Sequence, residues 1–89
     1  MAKIVFSFPK KIIAEFDAEE VQFARQENAL LLTAGGQMLA QDTNAVEQLM
    51  QGDARCHVAI IKDGEMVIDQ LFEVTVFTFE ADQIVVLLG

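Results

Sequence analysis

Aromatic side chains other than phenylalanine are missing from this 89-residue chain, which has seven Phe but no Trp and no Tyr. Basic side chains are also few, since six Lys and Arg stand against fourteen Asp and Glu and give a net charge of −8. Three of those six are Lys3, Lys10 and Lys11, so the rest of the chain is more acidic still. An acidic chain repels phosphate backbones, and Phe alone leaves few side chains for base stacking. We therefore expect no direct binding to nucleic acid.

Side chains that act as nucleophiles or metal ligands are equally scarce, with one cysteine (Cys56), one histidine (His57) and one serine (Ser7). A lone cysteine cannot form a disulfide within the chain, which favours a reducing compartment such as the cytoplasm. A hydrolytic triad would need Ser7 beside His57, and the two lie far apart along the chain. The sequence also shows no zinc-type spacing, phosphate loop or EF-hand pattern. We predict a protein that is not an enzyme and has no cofactor or metal.

Cys56 and His57 are neighbours within "RCHVAIIKDGEMVID", residues 55–69, a pattern typical of a strand. Successive side chains of a strand point to opposite faces of the sheet. The two side chains therefore cannot act on the same substrate atom, metal ion or proton. We expect a small buried thiol and a histidine at the rim of the core.

Long apolar runs are absent, because "ALLLTAGG" and "IVVLLG" are strand-sized and well below the ~18–20 residues of a membrane helix. The opening "MAKIVFSF" has too short an apolar run for a signal peptide and predicts a first strand. The hydrophobic share is nevertheless 53%. A chain of this length forms one domain, residues 1–89, that buries a little over ~60% of its unfolded surface. We expect a dense core or some apolar surface kept for a partner.

Turn residues in the second half of the chain predict its strands. Asp63-Gly64 separates two apolar runs, which is the pattern of a two-residue hairpin. In that register Asp69 pairs with Val58 on the core-facing side. Residues 65–80 contain no Gly or Pro and predict one long bent strand or two shorter ones. A turn at Ala81-Asp82 then leads into a last strand.

The first half of the chain is less regular. "FDAEEVQFA", residues 16–24, resembles "FEADQIVVL", residues 79–87, and favours a turn near Ala18-Glu19 followed by a strand. The alternative is a helix from Ala18 to about Thr33 with Asp17 as its N-cap. We favour strands because polar side chains interrupt the helical apolar stripe.

Two further signals complete the predicted fold. "ALLLTAGGQMLAQ" predicts a hairpin around Gly35-Gly36. A short helix is predicted over residues 45–51, with a capping box at Asn44 and Glu47 and a stop at Gly52. Two helical turns are too few to be stable alone, so this helix must pack on the sheet. The predicted fold is α+β and β-rich, an antiparallel meander or small barrel-like sheet of about six to seven strands with one short helix.

Apolar residues on both faces of the C-terminal strands suggest a function. Phe72, Val74 and Val76 are expected on one face and Phe77 and Phe79 on the other, more than one short helix can cover. We expect a small acidic, non-catalytic protein-interaction module that forms a homodimer or binds a protein partner, with no membrane partner. The expected interaction surface comprises Asp69, Phe72, Phe77 and Phe79.

Acidic side chains leave two other functions open. The protein could be a decoy that occupies the basic surface of a nucleic-acid-binding protein, or a small enzyme that uses carboxylates. Asp17, Glu19 and Glu20 form a cluster, but a calcium site needs ~6–8 oxygen ligands, so a solvated acidic turn is favoured. Asp69 interrupts an apolar strand, and we expect its charge to block incorrect strand pairing.

Overall fold

The computed structural model describes residues 2–52 and 54–89, which form an antiparallel β-barrel of six strands with one short helix. The elements in chain order are β1 (Ala2–Phe8), β2 (Lys11–Gln26), β3 (Ala29–Gln41), α1 (Thr43–Met50), β4 (Ala54–Lys62), β5 (Glu65–Glu80) and β6 (Gln83–Leu88). The order around the barrel is β1-β2-β3-β6-β5-β4, and β4 pairs back to β1. The predicted β-rich α+β class is confirmed, with six strands in the described residues.

Two long strands close the barrel. β2 and β5 have 16 residues each, and each pairs with different neighbours along its length. Residues 65–74 of β5 pair with β4, whereas residues 74–80 pair with β6. A strand shared between two neighbours in this way forces the sheet to twist and curl until its edges meet. Of the two predictions for residues 65–80, one long strand is correct.

The barrel interior is filled with apolar side chains. Alternation places Cys56, Val58 and Ile60 of β4 inside, and the rings of Phe6 and Phe77 meet edge to face at 5.3 Å. In residues 2–52 and 54–89 no polar or charged side chain is buried. The interior is therefore a packed core, and any functional site of the described chain lies on its outside or at its ends.

Two bulges in β5 correct the predicted faces of that strand. The pairing steps from Met66 to Ile68, so Asp69 lies opposite Ala59 and not opposite Val58 as predicted. A second irregularity lies between Val74 and Val76. Each bulge adds one residue to a strand and thereby reverses the alternation of faces.

The second bulge brings both Val74 and Phe77 into the core and leaves Val76 outside. The sequence assigned Val74 and Phe77 to opposite faces, which is wrong. The apolar surface that the sequence expected on two faces of β5 is thus largely turned inward.

The predicted turns had mixed outcomes. Those at Asp63-Gly64 and Ala81-Asp82 are confirmed, and all four residues have positive φ, as tight hairpins require. The predicted turn near Ala18-Glu19 is wrong, since β2 runs on to a turn at Glu27-Asn28. Residues 16–24 are therefore continuous strand, whereas residues 79–87 contain a turn, so the two similar segments are not structural equivalents.

Gly35 and Gly36 lie inside β3, and the hairpin predicted there is wrong. The Gly36 N–H donates to the carbonyl oxygen of Asp82 at 2.9 Å. A Cβ atom at Gly36 would lie 2.0 Å from the carbonyl oxygen of Asp17 on β2. Glycine is needed here for the close approach of two backbones and not for a turn.

The short helix starts earlier than predicted. Its N-cap is Asp42, whose side chain accepts a hydrogen bond from the Ala45 N–H at 3.1 Å, so the capping box at Asn44 is wrong. Val46 and Leu49 are buried, whereas Met50 is exposed. The helix contacts β5 and β2 and covers part of the barrel core.

Candidate interaction surfaces

The cysteine and the histidine lie on opposite sides of the barrel wall, as predicted. Cys56 is 1% exposed in the core, and burial raises the pKa of its thiol to about 11. The thiol therefore stays protonated at neutral pH, whereas the thiolate is the nucleophilic form. His57 is partly exposed on the outer surface.

The outer surface brings His57 together with two residues that are distant in sequence. Its Nε2 lies 2.6 Å from Oδ1 of Asp69, because the bulge in β5 puts Asp69 on the outer face. Ser7 is the direct cross-strand neighbour of His57 on β1. This cluster could not be predicted from the sequence, because it depends on the pairing of β1 with β4, which nothing local in the sequence indicates.

This cluster lacks the connections of a nucleophilic site. Within the described residues Ser7 makes no hydrogen bond to His57, and a nucleophile needs its base within such reach. The side chains of His57 and Asp69 are 42% and 51% exposed, so water weakens their attraction to at most about 1 kcal/mol. The His57–Asp69 pair is therefore a surface contact that orients the Asp69 side chain.

The acidic cluster lies along β2 near the β5–β6 turn. Asp17, Glu19 and Glu20 border shallow grooves together with Gly36 and Asp82. No group of three or more His, Cys, Asp or Glu in the described chain is arranged to hold a metal ion. The three carboxylates give this side of the barrel a strong negative charge, and the grooves beside them are open to water.

The four residues of the predicted interaction surface lie in different environments. Phe77 is 1% exposed and offers no surface to a partner while the barrel is folded. Phe72 and Phe79 are partly buried against the core, and Phe79 meets the ring of Phe16 at 6.0 Å. Asp69 is exposed. Phe72 lines a surface groove, and Asp69 lies on β5 between two residues, Ile68 and Gln70, that line the same groove.

One side of the barrel forms an uncharged surface, which we call the neutral face. It comprises the outward side chains of β3, β6 and β5 at Leu31, Thr33, Val85, Leu87, Val76 and Thr78. Leu31, Leu87 and Val76 form one row across the three strands, and Val76 is 43% exposed. This face could not be predicted from the sequence, because barrel closure and the second bulge of β5 decide which side chains remain outside.

A second feature is a groove at the end of the barrel, the β5 edge groove. It has a volume of about 510 Å³ and lies between the β2–β3 hairpin, the first half of β5 and the end of β6. Its lining includes the opposite charges of Arg25 and Glu27 and the apolar side chains of Leu30, Ile68, Phe72 and Leu88. Within the described residues, the first half of β5 pairs with β4 on one side. On its other side the pairing reaches Glu73, which exchanges two hydrogen bonds with Gly89 at the end of β6.

Comparisons with protein-family models, with curated proteins and with solved structures give no match for this chain. Within the described residues, no helix has both the length and the apolar character that a bilayer crossing demands. The neutral face and the β5 edge groove are the surface features from which a function can be inferred.

Proposed function

We propose that this protein is a small non-catalytic interaction module that self-associates as a symmetric dimer through the neutral face. The observation that supports this proposal is the row formed by Leu31, Leu87 and Val76 on adjacent strands. Apolar side chains that are contiguous on an open sheet favour packing against a second sheet at ~10 Å. A two-fold axis is the default symmetry for two identical chains.

Net charge opposes association, and the position of the charges limits this effect. The chain carries −8, but the neutral face contains no ionisable side chain. Acidic residues such as Glu20 and Glu80 lie beyond its end, next to Gly35 and Gln83. At physiological salt exposed charges more than ~8 Å apart are largely screened. Two copies can therefore approach through this face while their acids stay solvated.

The size of the barrel sets the expected affinity. Its extents are 31 × 29 × 26 Å, so one entire side has roughly the ~800 Å² that each partner contributes to a standard interface. The neutral face is only part of one side. We therefore expect a weak dimer with a Kd on the order of micromolar or higher, in which apolar burial slightly exceeds the entropic cost of association.

Sedimentation velocity from about 1 to about 300 µM tests this proposal, because that range spans the expected Kd. The dimer fraction should rise with concentration, and should rise further when salt is increased from ~0.05 to ~0.5 M, since salt screens the acidic repulsion.

Val76→Lys should abolish the dimer because it places a charge in the middle of the face. Leu39→Lys is the matched control, since Leu39 is 50% exposed on β3 outside the face. A monomer at every concentration, or equal association of Val76→Lys and wild type, would contradict the proposal.

A further inference from the structure

We propose that the β5 edge groove binds an extended, positively charged segment of a protein partner, which joins the sheet as a strand antiparallel to β5. This inference is independent of self-association, because the groove lies at the end of the barrel and the neutral face on its side. It rests on three observations: free backbone groups, an apolar floor and the position of Asp69.

The backbone of β5 has hydrogen-bonding groups free for such a strand. Gly89 donates to the Glu73 carbonyl at 2.7 Å and accepts from the Glu73 N–H at 3.2 Å, so both groups of Glu73 point to the β6 side. In an antiparallel strand every second residue points the same way. The N–H and C=O groups of Leu71 and Asp69 therefore point to this side too. No strand of the described chain pairs with Leu71 or Asp69 on this side.

The floor of the groove suits the side chains of an added strand. Ile68 and Phe72 point inward from β5 and are partly buried, and Leu30 and Leu88 line the same groove. A strand in line with β6 would place every second side chain on this floor. The volume of about 510 Å³ is within the ~300–1,000 Å³ of typical ligand sites. Apolar residues at alternate positions of the partner are therefore favoured.

Charge selects the remaining positions of the partner. Asp69 projects from the outer face in the middle of the free segment, and His57 holds one of its carboxylate oxygens at 2.6 Å. A Lys or Arg directly across from Asp69 forms a favourable cross-strand pair. The net charge of −8 also accelerates the approach of a cationic segment.

The same carboxylate argues against a second copy of this chain as the occupant. Two β5 edges related by a two-fold axis would bring two Asp69 side chains close together in the short free segment. Like charges across a strand pair are destabilising, and inward or edge charges prevent such pairing in natural sheets. The positive charge of Arg25 in the groove lining is offset by Glu27 on the same hairpin, so the groove accepts a cationic strand and rejects its own edge.

The probe for this proposal is a fluorescein-labelled, end-capped hexapeptide of alternating valine and lysine, measured by fluorescence anisotropy. We expect saturable binding. N-methylation of the amides on one edge of the peptide should weaken its binding roughly tenfold or more, because those amides can no longer donate hydrogen bonds to β5. A peptide of alternating serine and lysine has the same charge and should bind at least about tenfold more weakly, because it leaves the apolar floor uncovered. Equal binding of the serine and valine peptides would overturn the proposal, since charge alone would then explain it.

Substitutions in the protein test the contact between β5 and the peptide independently of changes in the peptide. Asp69→Asn should weaken binding of the valine–lysine peptide about three- to tenfold. Glu47→Gln is the control, because it removes an acid on α1 outside the groove lining, and it should have little effect on binding. Leu71→Pro removes a free N–H without breaking the ladder to β4, so the fold should persist while binding falls. If Leu71→Pro does not fold, the N-methylated peptide still tests the strand pairing on the wild-type protein, through the hydrogen bonds that the peptide amides donate to the β5 carbonyl groups. Equal weakening by Glu47→Gln and Asp69→Asn would overturn the proposal.

Amide chemical shifts locate the peptide. The shifts of Leu71 and Asp69 should change most, and largest changes at Glu19 and Glu20 instead would place the peptide on the acidic cluster and overturn the proposal. The titration is repeated with Val76→Lys, which should bind the peptide as wild type does. If the protein is monomeric but binds the peptide, only the self-association proposal is refuted. If the protein dimerises but does not bind the peptide, only the groove proposal is refuted.

Discussion

Asp42 shows how one side chain can set the boundary of an element. Its carboxylate accepts from the Ala45 N–H at 3.1 Å and contacts Lys11 Nζ at 3.3 Å. The pKa of the Asp42 carboxyl is held below its ordinary value of 3.8. The main cause is the hydrogen bond from Ala45, and the second is the hydrogen bond from Lys11. The sequence pattern predicted the cap at Asn44, because it is local, whereas the contact of Asp42 with Lys11 is set by the fold. A depressed pKa means that the ionised carboxylate stabilises the folded state.

We expect this contribution to be complete above pH 3.8 and to disappear as the pH falls through the lower folded pKa. Asp42→Ala should lower the Tm at neutral pH, and Asp42→Asn should lower it less because its amide oxygen still accepts from Ala45. Thermal unfolding followed by circular dichroism at neutral and acidic pH measures the difference. A Tm gap between wild type and Asp42→Asn that stays constant into strong acid would show that the charge does not contribute.

At the scale of the elements, the sequence predicted features that depend on neighbouring residues. The hairpin at Asp63-Gly64 follows from turn chemistry alone, whereas the turn at Ala81-Asp82 was indicated by the polar break between two apolar runs. Gly35-Gly36 gave the same kind of signal, but there the contact with β2 makes glycine necessary. The bulges of β5 could not be predicted, because they satisfy the curvature of the closed barrel and not any local preference.

The two adjacent glycines of β3 offer a matched pair of substitutions. Gly36→Ala should destabilise the protein by about 1–3 kcal/mol, because its Cβ would clash with the backbone of β2 at Asp17 and Ala18. Gly35→Ala has nothing within 4 Å of its Cβ and should change stability by less than ~0.5 kcal/mol. Urea denaturation of both variants gives the two free energies of unfolding. Equal values would show that β2 and β3 do not approach as closely as described.

At the scale of the whole molecule, closure decides which apolar side chains remain outside. The sequence predicts a surplus of apolar strand surface that includes Phe77, but closure places Phe77 in the core. The sequence also indicates Asp69 and Phe72, which lie at or near the β5 edge groove, although for another reason. The neutral face and the groove could not be predicted, because both depend on pairings between the two halves of the chain.

Those pairings also determine how the chain must fold. Ser7 pairs with His57 and Leu30 with Leu88, at separations of 50 and 58 residues, whereas the pairings within each half join strands connected by short turns. Contacts between distant residues form slowly, because loop-closure entropy is lost before they stabilise the chain. We therefore expect the two three-stranded halves to form first and their joining to limit the folding rate. The transition state then contains the junction between β1 and β4.

Ile4→Ala at that junction, opposite Ile60, should lower stability by about 2–5 kcal/mol and should mainly slow refolding. We expect α1 to dock after closure, so Leu49→Ala in this helix should mainly speed unfolding. Stopped-flow refolding and unfolding measure both rates, and a refolding rate unchanged in Ile4→Ala would exclude this order of events. Until the halves join, apolar strand faces on both sides are exposed at once, so slow closure would make the unjoined halves the species most prone to aggregate.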